Sequence, residues 1–178
     1  MAGTEDALTC TLDAVLTDGS DGELRQLLYG LFAVSRTLDA IRERLGARIG
    51  VSGFQFHILT ALNDLKYSEP VGIKQLAAHL RVAPPNVTVE VAKLVRKGLL
   101  SKRRNAADGR AVDIALTAAG RRAIARILPD LRALNDEMFA GIDGKTFRAA
   151  LAAVTRIDAN GKHQAAGSQP AAADTTPD

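Results

Sequence analysis

The stretch that decides the fold is IKQLAAHLRVAPPNVTVEVAKLVRKGLLSKRRNAADGRAVDIALT, residues 73–117. Within it Ile73, Leu76, Ala77 and Leu80 recur at three- and four-residue steps, which predicts a short amphipathic helix. Val82-Ala83-Pro84-Pro85 then makes a turn, and proline suits the start of the following helix because that first amide needs no intrahelical acceptor. The second helix is expected over about 85–97, with Val87, Val91, Leu94 and Val95 inward and Gly98 as its C-terminal cap. Leu99-Leu100 and Lys102-Arg103-Arg104 read as extended, and Asn105-Ala106-Ala107-Asp108-Gly109 as a turn. Val112, Ile114 and Leu116 alternate with Asp113 and Ala115, which gives a returning strand and hence a two-stranded β-hairpin. Helix, short turn, helix and basic hairpin, in that order, make a winged helix-turn-helix.

Upstream, residues 1–22 form an acidic arm with a weak apolar series (Ala7, Leu8, Leu12, Val15, Leu16) compatible with one short helix, closed by Asp18-Gly19-Ser20-Asp21-Gly22. Leu24, Leu27, Leu28, Leu31, Leu38, Ile41 and Leu45 predict an amphipathic helix over about 23–46. Ser52-Gly53-Phe54-Gln55 has the capping-box form and starts another helix, with Phe56, Leu59, Leu62 and Leu65 as its buried side. Downstream, Thr117 caps a long helix containing Pro129, where a kink is expected, and a last helix carries Phe147, Leu151, Val154 and Ile157 and ends near Asn160-Gly161. The expected domain is thus 23–160, mainly α with a small β-hairpin wing (α+β): a winged unit over about 52–117 and long helices over about 23–46 and 118–160. Residues 161–178 lack a periodic apolar face and read as a disordered tail.

Composition narrows the function classes. A chain of 178 residues with 47% hydrophobic and 24% charged residues suits one compact domain rather than a disordered polymer. No apolar run approaches the roughly 20 residues that cross a bilayer, and the start lacks the basic-then-apolar order of a signal peptide. The single cysteine, Cys10, excludes an internal disulfide framework and a multi-cysteine zinc site and fits a reducing cytoplasm. Gly-rich phosphate loops, nucleophile motifs and close His or carboxylate clusters are missing, which argues against an enzyme.

Charge is unevenly spread. Residues 1–22 hold five acids and no base, whereas residues 71–117 hold nine Lys/Arg against three Asp/Glu, a net of +6 in 47 residues. That excess is either a phosphate-binding surface or merely a solvated one. At about 100° per residue, Pro85, Asn86, Val89, Lys93 and Arg96 lie opposite the inward face of the second helix, with Thr88 at the flank. Asn86 suits a base edge, Lys93 a base or phosphate, Arg96 a phosphate, and Pro85 and Val89 suit thymine methyl groups. The hairpin tip would carry Lys102, Arg103, Arg104 and Arg110, the last suited to a narrow minor groove and oriented by Asp108. The competing readings are a helix with polar decoration and a solvated turn whose ion pair contributes little.

Several segments resemble the MarR family of winged helix-turn-helix transcription regulators: residues 73–80, Pro84-Pro85-Asn86-Val87-Thr88, Leu94-Val95-Arg96-Lys97-Gly98-Leu99-Leu100, and above all residues 108–120, with Asp108-x-Arg110 followed by Leu116-Thr117-x-x-Gly120. The resemblance covers about 23–158, and departs where the position after Val87-Thr88, often basic in the family, is Val89. It implies a homodimer, interlocked through the terminal helices, that binds double-stranded DNA at a palindromic operator as a repressor. It also implies release by a small molecule, often an aromatic acid, for which Tyr29, Phe32, Arg36, Phe54 and His57 are the candidate residues. The alternatives there are core phenylalanines and a structural histidine. Cys10 is a candidate redox sensor, although its acidic neighbours Glu5, Asp6 and Asp13 disfavour the thiolate, so an inert thiol is the default. The three histidines are too dispersed for a metal site, and no cofactor is expected. A constitutive or architectural DNA binder, and a winged module for protein interaction only, are the other readings.

Overall fold

The computed structural model describes residues 8–65, 71–104 and 112–167. Its elements are a 3-10 turn at Asp13–Val15, then α1 (Gly22–Arg48), α2 (Gly53–Asp64), β1 (Val71–Gly72), α3 (Ile73–Leu80), α4 (Pro84–Arg96), β2 (Leu100–Arg104), β3 (Val112–Leu116), α5 (Ala118–Met138) and α6 (Gly144–Gly167). The chain divides into two compact units, Met1–Leu131 and Arg132–Asp178, with the boundary inside α5.

In the first unit the core gathers around α2. This helix buries Gln55, Phe56, Ile58, Leu59, Ala61 and Leu62, more than one face, because it packs against α1, α3, α4 and β3. Leu65, expected inside, is half-buried at the C-cap, and Ile58 takes the interior position instead. Its start follows the sequence: Ser52 Oγ accepts the Gln55 amide and Gln55 Oε1 accepts the Ser52 amide, a complete capping box. Leu76 and Leu80 of α3, Val87, Val91 and Leu94 of α4, Leu100, Ile114 and Leu116 of the sheet, and Ile124 and Ile127 of α5 complete the core. Val95, expected inward, is half-buried.

The sheet has three antiparallel strands in the order β1-β3-β2, where the sequence predicted a two-stranded hairpin. The added strand is two residues long, with Val71 opposite Ile114 and Gly72 opposite Asp113. Two residues are too few to show a period, and the reason for the strand is non-local: Val71 is buried against Ile114.

Among the described residues of the arm, 8–21, there is a 3-10 turn and no α-helix. After its 3-10 turn, Thr17 and Ser20 exchange both backbone hydrogen bonds around Asp18-Gly19, whose positive φ values of 50° and 76° are those of a two-residue hairpin turn. Asp21, 1% exposed, accepts from the Thr9 amide (2.7 Å) and hydroxyl (2.5 Å) and pairs with Arg25 of α1. The Thr9 hydrogen bonds, side chain first, hold its carboxyl below the usual range against the opposing effect of burial. The arm is therefore fastened to the start of α1.

Helix α1 buries only Leu45 and Gly46, leaving Leu27, Leu28, Tyr29, Phe32 and Val34 exposed. In the second unit Asp143 caps α6 by accepting the Thr146 amide at 2.7 Å, and Phe139 meets Phe147 edge to face. Phe147, Leu151, Val154 and Ile157 are exposed along α6. Helix α5 is continuous through Pro129. Helix α6 runs through Gly161 to Gly167, past the expected start of the tail, because one helical glycine costs only about 1 kcal/mol and Lys162 pairs with Asp158 at 2.9 Å.

Two glycines should respond oppositely to alanine. A Cβ at Gly120 would stand 2.2 Å from the Leu99 carbonyl oxygen, so Gly120→Ala should destabilise by about 1–3 kcal/mol or more. Gly161 has nothing within 4 Å, so Gly161→Ala should stabilise by about 0.5–1 kcal/mol; urea unfolding midpoints decide both. The lowered Asp21 carboxyl contributes stability that is complete above its ordinary value of 3.8 and lost as pH falls through the folded value. Asp21→Asn should therefore flatten the acid limb of a plot of melting temperature against pH, and an unchanged limb would refute the fastening.

Candidate nucleic-acid interface and cleft

Helices α3 and α4 are joined by residues 81–83, with Arg81 in the left-handed region at φ 57° capping α3 and the Val82 amide donating to Ala77. Pro84 and Pro85 occupy the first turn of α4, and the Asn86 amide donates to the Ala83 carbonyl at 3.1 Å. Val87, Val91 and Leu94 are fully buried, which fixes the helix by its inner face and leaves Pro85, Asn86, Thr88, Val89 and Arg96 exposed. Thr88 donates its hydroxyl to the Pro84 carbonyl at 3.0 Å. Lys93 is half-exposed and donates to Glu90 at 2.6 Å, and Glu90 also accepts from Gln55 Nε2 at 2.7 Å. The hydrogen bond from Lys93 holds the Glu90 carboxyl below its usual range.

At the end of α4 the Gly98 amide donates to Val95 and the Leu99 amide to Leu94, a double closure made with Gly98 at φ +71°. The chain enters β2 directly. Thr117, after β3, donates its hydroxyl to the Gly98 carbonyl (2.7 Å) and accepts the Gly120 amide (3.0 Å), so the base of the hairpin, the end of α4 and the start of α5 share one side chain. In the hairpin Lys102 and Arg103 are exposed, and Arg103 lies opposite Asp113. Arg104 closes β2, while Asp108 and Arg110 lie outside the described residues. The exposed residues of α4 and of β2 thus follow one another along the chain, both standing on the same core.

The five residues grouped as a ligand site separate. Phe54 and His57 line a cleft of about 310 Å³ between α1 and α2, whose other walls are Asp39, Arg42, Glu43 and Gly53. Tyr29 and Phe32 are 70% and 62% exposed, Arg36 is also exposed, and none of the three lines the cleft. The cation beside His57 is Arg42, itself paired with Asp39 at 2.7 Å. Burial first, then Arg42 and His79, push the His57 imidazole below 6.5. Cys10 is half-exposed, and its Sγ accepts the Leu12 amide at 3.5 Å. Among the described residues no three His, Cys, Asp or Glu side chains are grouped to hold a metal. No described helix is long and apolar enough to cross a membrane.

Sequence reasoning overlooked Arg42, Glu43 and Glu90. Glu90 had a signal, being the only acid of α4 in a strongly basic segment.

A three-residue turn between two helices, followed by an antiparallel hairpin and a long helix, defines a winged helix-turn-helix protein. Residues 54–112 match the family model described as the MarR family. The chain is 30% identical over 104 residues to the HTH-type transcriptional repressor YetL of Bacillus subtilis (strain 168), a match spanning 58% of this chain and 62%, less than two thirds, of that protein. Among solved structures it is similar to the transcriptional regulator BldR of Sulfolobus solfataricus (27% identity, TM-score 0.64, 78% of this chain and 96% of that one). It is also similar to the M. tuberculosis regulator MOSR, solved in complex with DNA (25% identity, TM-score 0.60, 75% and 96%).

The lowered imidazole gives a direct check of the cleft. The His57 proton resonances should titrate with a midpoint below 6.5, and Arg42→Gln should move that midpoint upward. A midpoint at or above 6.5 would mean the ring is not shielded as described.

Proposed function

We propose that the protein is a sequence-specific DNA-binding transcriptional regulator, acting as a repressor in the cytoplasm. The observation that carries this reading is the outer face of α4, where Pro85, Asn86, Thr88, Val89 and Arg96 are exposed on a helix whose inner face is fully buried. It leads directly into a strand bearing exposed Lys102 and Arg103. On a duplex α4 would enter the major groove, with Asn86 reading a base edge, Pro85 and Val89 touching methyl groups, and Arg96, Arg103 and Arg104 meeting phosphates. Arg110, oriented by Asp108, would serve the minor groove.

The working form is a homodimer on a palindromic operator. Support comes from the large apolar side chains left exposed on α1 and, separately, on α6, which a second copy of the chain would cover. Two copies related by a twofold axis present two α4 helices to two half-sites. A small aromatic acid is the proposed releasing ligand, with Phe54 and His57 as its contacts and Tyr29, Phe32 and Arg36 reaching it only from elsewhere in the dimer. The Arg42–Asp39 pair favours a second reading, a regulator without a ligand, because the cleft's cation already has a carboxylate. Redox control through Cys10 has only the half-exposure of that thiol in its favour.

Gel-shift titration against DNA from upstream of its own gene, beside a scrambled duplex and at two salt concentrations, tests the main reading. Arg110→Ala should weaken operator binding by about 1–3 kcal/mol without unfolding the protein, and Asn86→Ala should relax sequence preference. Equal, salt-insensitive retention of both duplexes, or a monomer by sedimentation, would sink the proposal. Thermal shift with benzoate separates a ligand-released regulator from a constitutive one.

A further inference from the structure

Counting cations overstates what α4 offers a polyanion. Three basic side chains lie in its second half and at its C-cap: Lys93, Arg96 and Lys97. Lys97 donates to the Gly50 carbonyl at 2.5 Å, and Lys93 donates to Glu90 at 2.6 Å. Arg96 makes no side-chain hydrogen bond or ion pair among the described residues.

Glu90 is not a loose surface partner. Its side chain is 17% exposed, and its two oxygens are both taken: Oε1 by Lys93, Oε2 by Gln55 Nε2 at 2.7 Å. Gln55 is itself buried and committed at its other end, where Oε1 accepts the Ser52 amide. The carboxylate is thereby fixed to the capping box of α2, and it holds the Lys93 ammonium from a rigid base. An ordinary exposed Glu–Lys pair costs little to break. Here, freeing Lys93 would strand a half-desolvated carboxylate beside whatever anion the lysine had reached.

We infer that Glu90 is a positioning residue that withholds Lys93 from DNA phosphates, so that α4 discriminates against duplexes offering only backbone contacts. The inference rests on the DNA-binding function proposed above. A phosphate competes with Glu90 for the ammonium and is repelled by the carboxylate. An uncharged acceptor on a base edge is not repelled, and the two remaining N–H donors of the ammonium can reach it with the Glu90 pair intact. The pair therefore lowers affinity for arbitrary sequence more than affinity for a site that places such an acceptor within reach.

The test measures binding of the full chain to a scrambled duplex and to a duplex selected by the wild-type protein from a random pool, across a salt series. Glu90→Gln keeps an oxygen for Gln55 and removes the charge. It should tighten binding to the scrambled duplex, narrow the selected-to-scrambled ratio and steepen the salt dependence by about 0.9 in log–log slope per chain, about 3.5-fold over a fourfold rise in salt. Lys93→Gln alone should change scrambled-duplex affinity little, and in the Glu90→Gln background it should abolish the gain. An unchanged slope and ratio in Glu90→Gln, a gain that survives Lys93→Gln and so comes from removing the carboxylate rather than from releasing the lysine, or a loss in Lys93→Gln alone as large as the gain in Glu90→Gln, the mark of net charge alone, overturns the inference and leaves the function standing. A wild-type protein that binds no duplex overturns both. If Glu90→Gln melts early, Gln55→Met, which frees the carboxylate from α2 while keeping its charge, should give a smaller steepening; none would count against the inference.

Discussion

One hydroxyl organises the half of the molecule that carries α4 and the hairpin. Thr117 donates to the carbonyl of Gly98 and accepts the amide of Gly120, joining the end of α4, the root of the hairpin and the first turn of α5. The Gly98 carbonyl and the Gly120 amide would otherwise lack this partner at a crowded junction. The close fit follows from it: the Leu99 carbonyl sits where a Cβ at residue 120 would stand, so the helix start and the strand root touch backbone to backbone. Because α4 is held from below by Val87, Val91 and Leu94 and at its end by this junction, its outer face has a fixed bearing relative to the hairpin.

Electrostatics then refine what packing fixes. The basic segment identified from composition is real, but its cations are not equivalent. Lys93 and Lys97 spend donors inside the protein, Arg103 faces Asp113 across the sheet, and Arg96 is left outward. Internal engagement of this kind trades general attraction for a defined direction of each charge, the exchange that the proposed reading of base sequence would require.

Much of the fold was legible because its signals are local. The capping box of Ser52 and Gln55 spans three residues, and the α3–α4 pair announces itself by apolar spacing and a proline pair. The mainly helical class with a small antiparallel sheet followed from those signals. What escaped was non-local or too short. Strand β1 exists through Val71 opposite Ile114, more than forty residues away by the numbering. The Gln55–Glu90 hydrogen bond spans 35 residues. The extension of α6 past Gly161 turned on a cost small enough for neighbours to offset. The cleft could have been read better. Only residues 49–52 separate α1 from α2, so Phe54 and His57 must face the last turns of α1, where Asp39, Arg42 and Glu43 lie. Tyr29 is ten residues earlier on the same helix than Asp39, about 15 Å away along its axis.

The proline pair that opens α4 has an electrical consequence of its own. A helix ordinarily ends in several unbonded amides that grip an anion while the aligned peptide dipoles attract it. Here the first two positions have no amide hydrogen, and the third, on Asn86, already donates to Ala83. The end of α4 keeps its positive potential but has lost its first handholds. A phosphate drawn there would be attracted without being caught, so in the proposed DNA complex docking at this end would depend on surface fit and on the Asn86 side chain, and the helix tip would glide over a sugar–phosphate ridge until the groove itself stopped it.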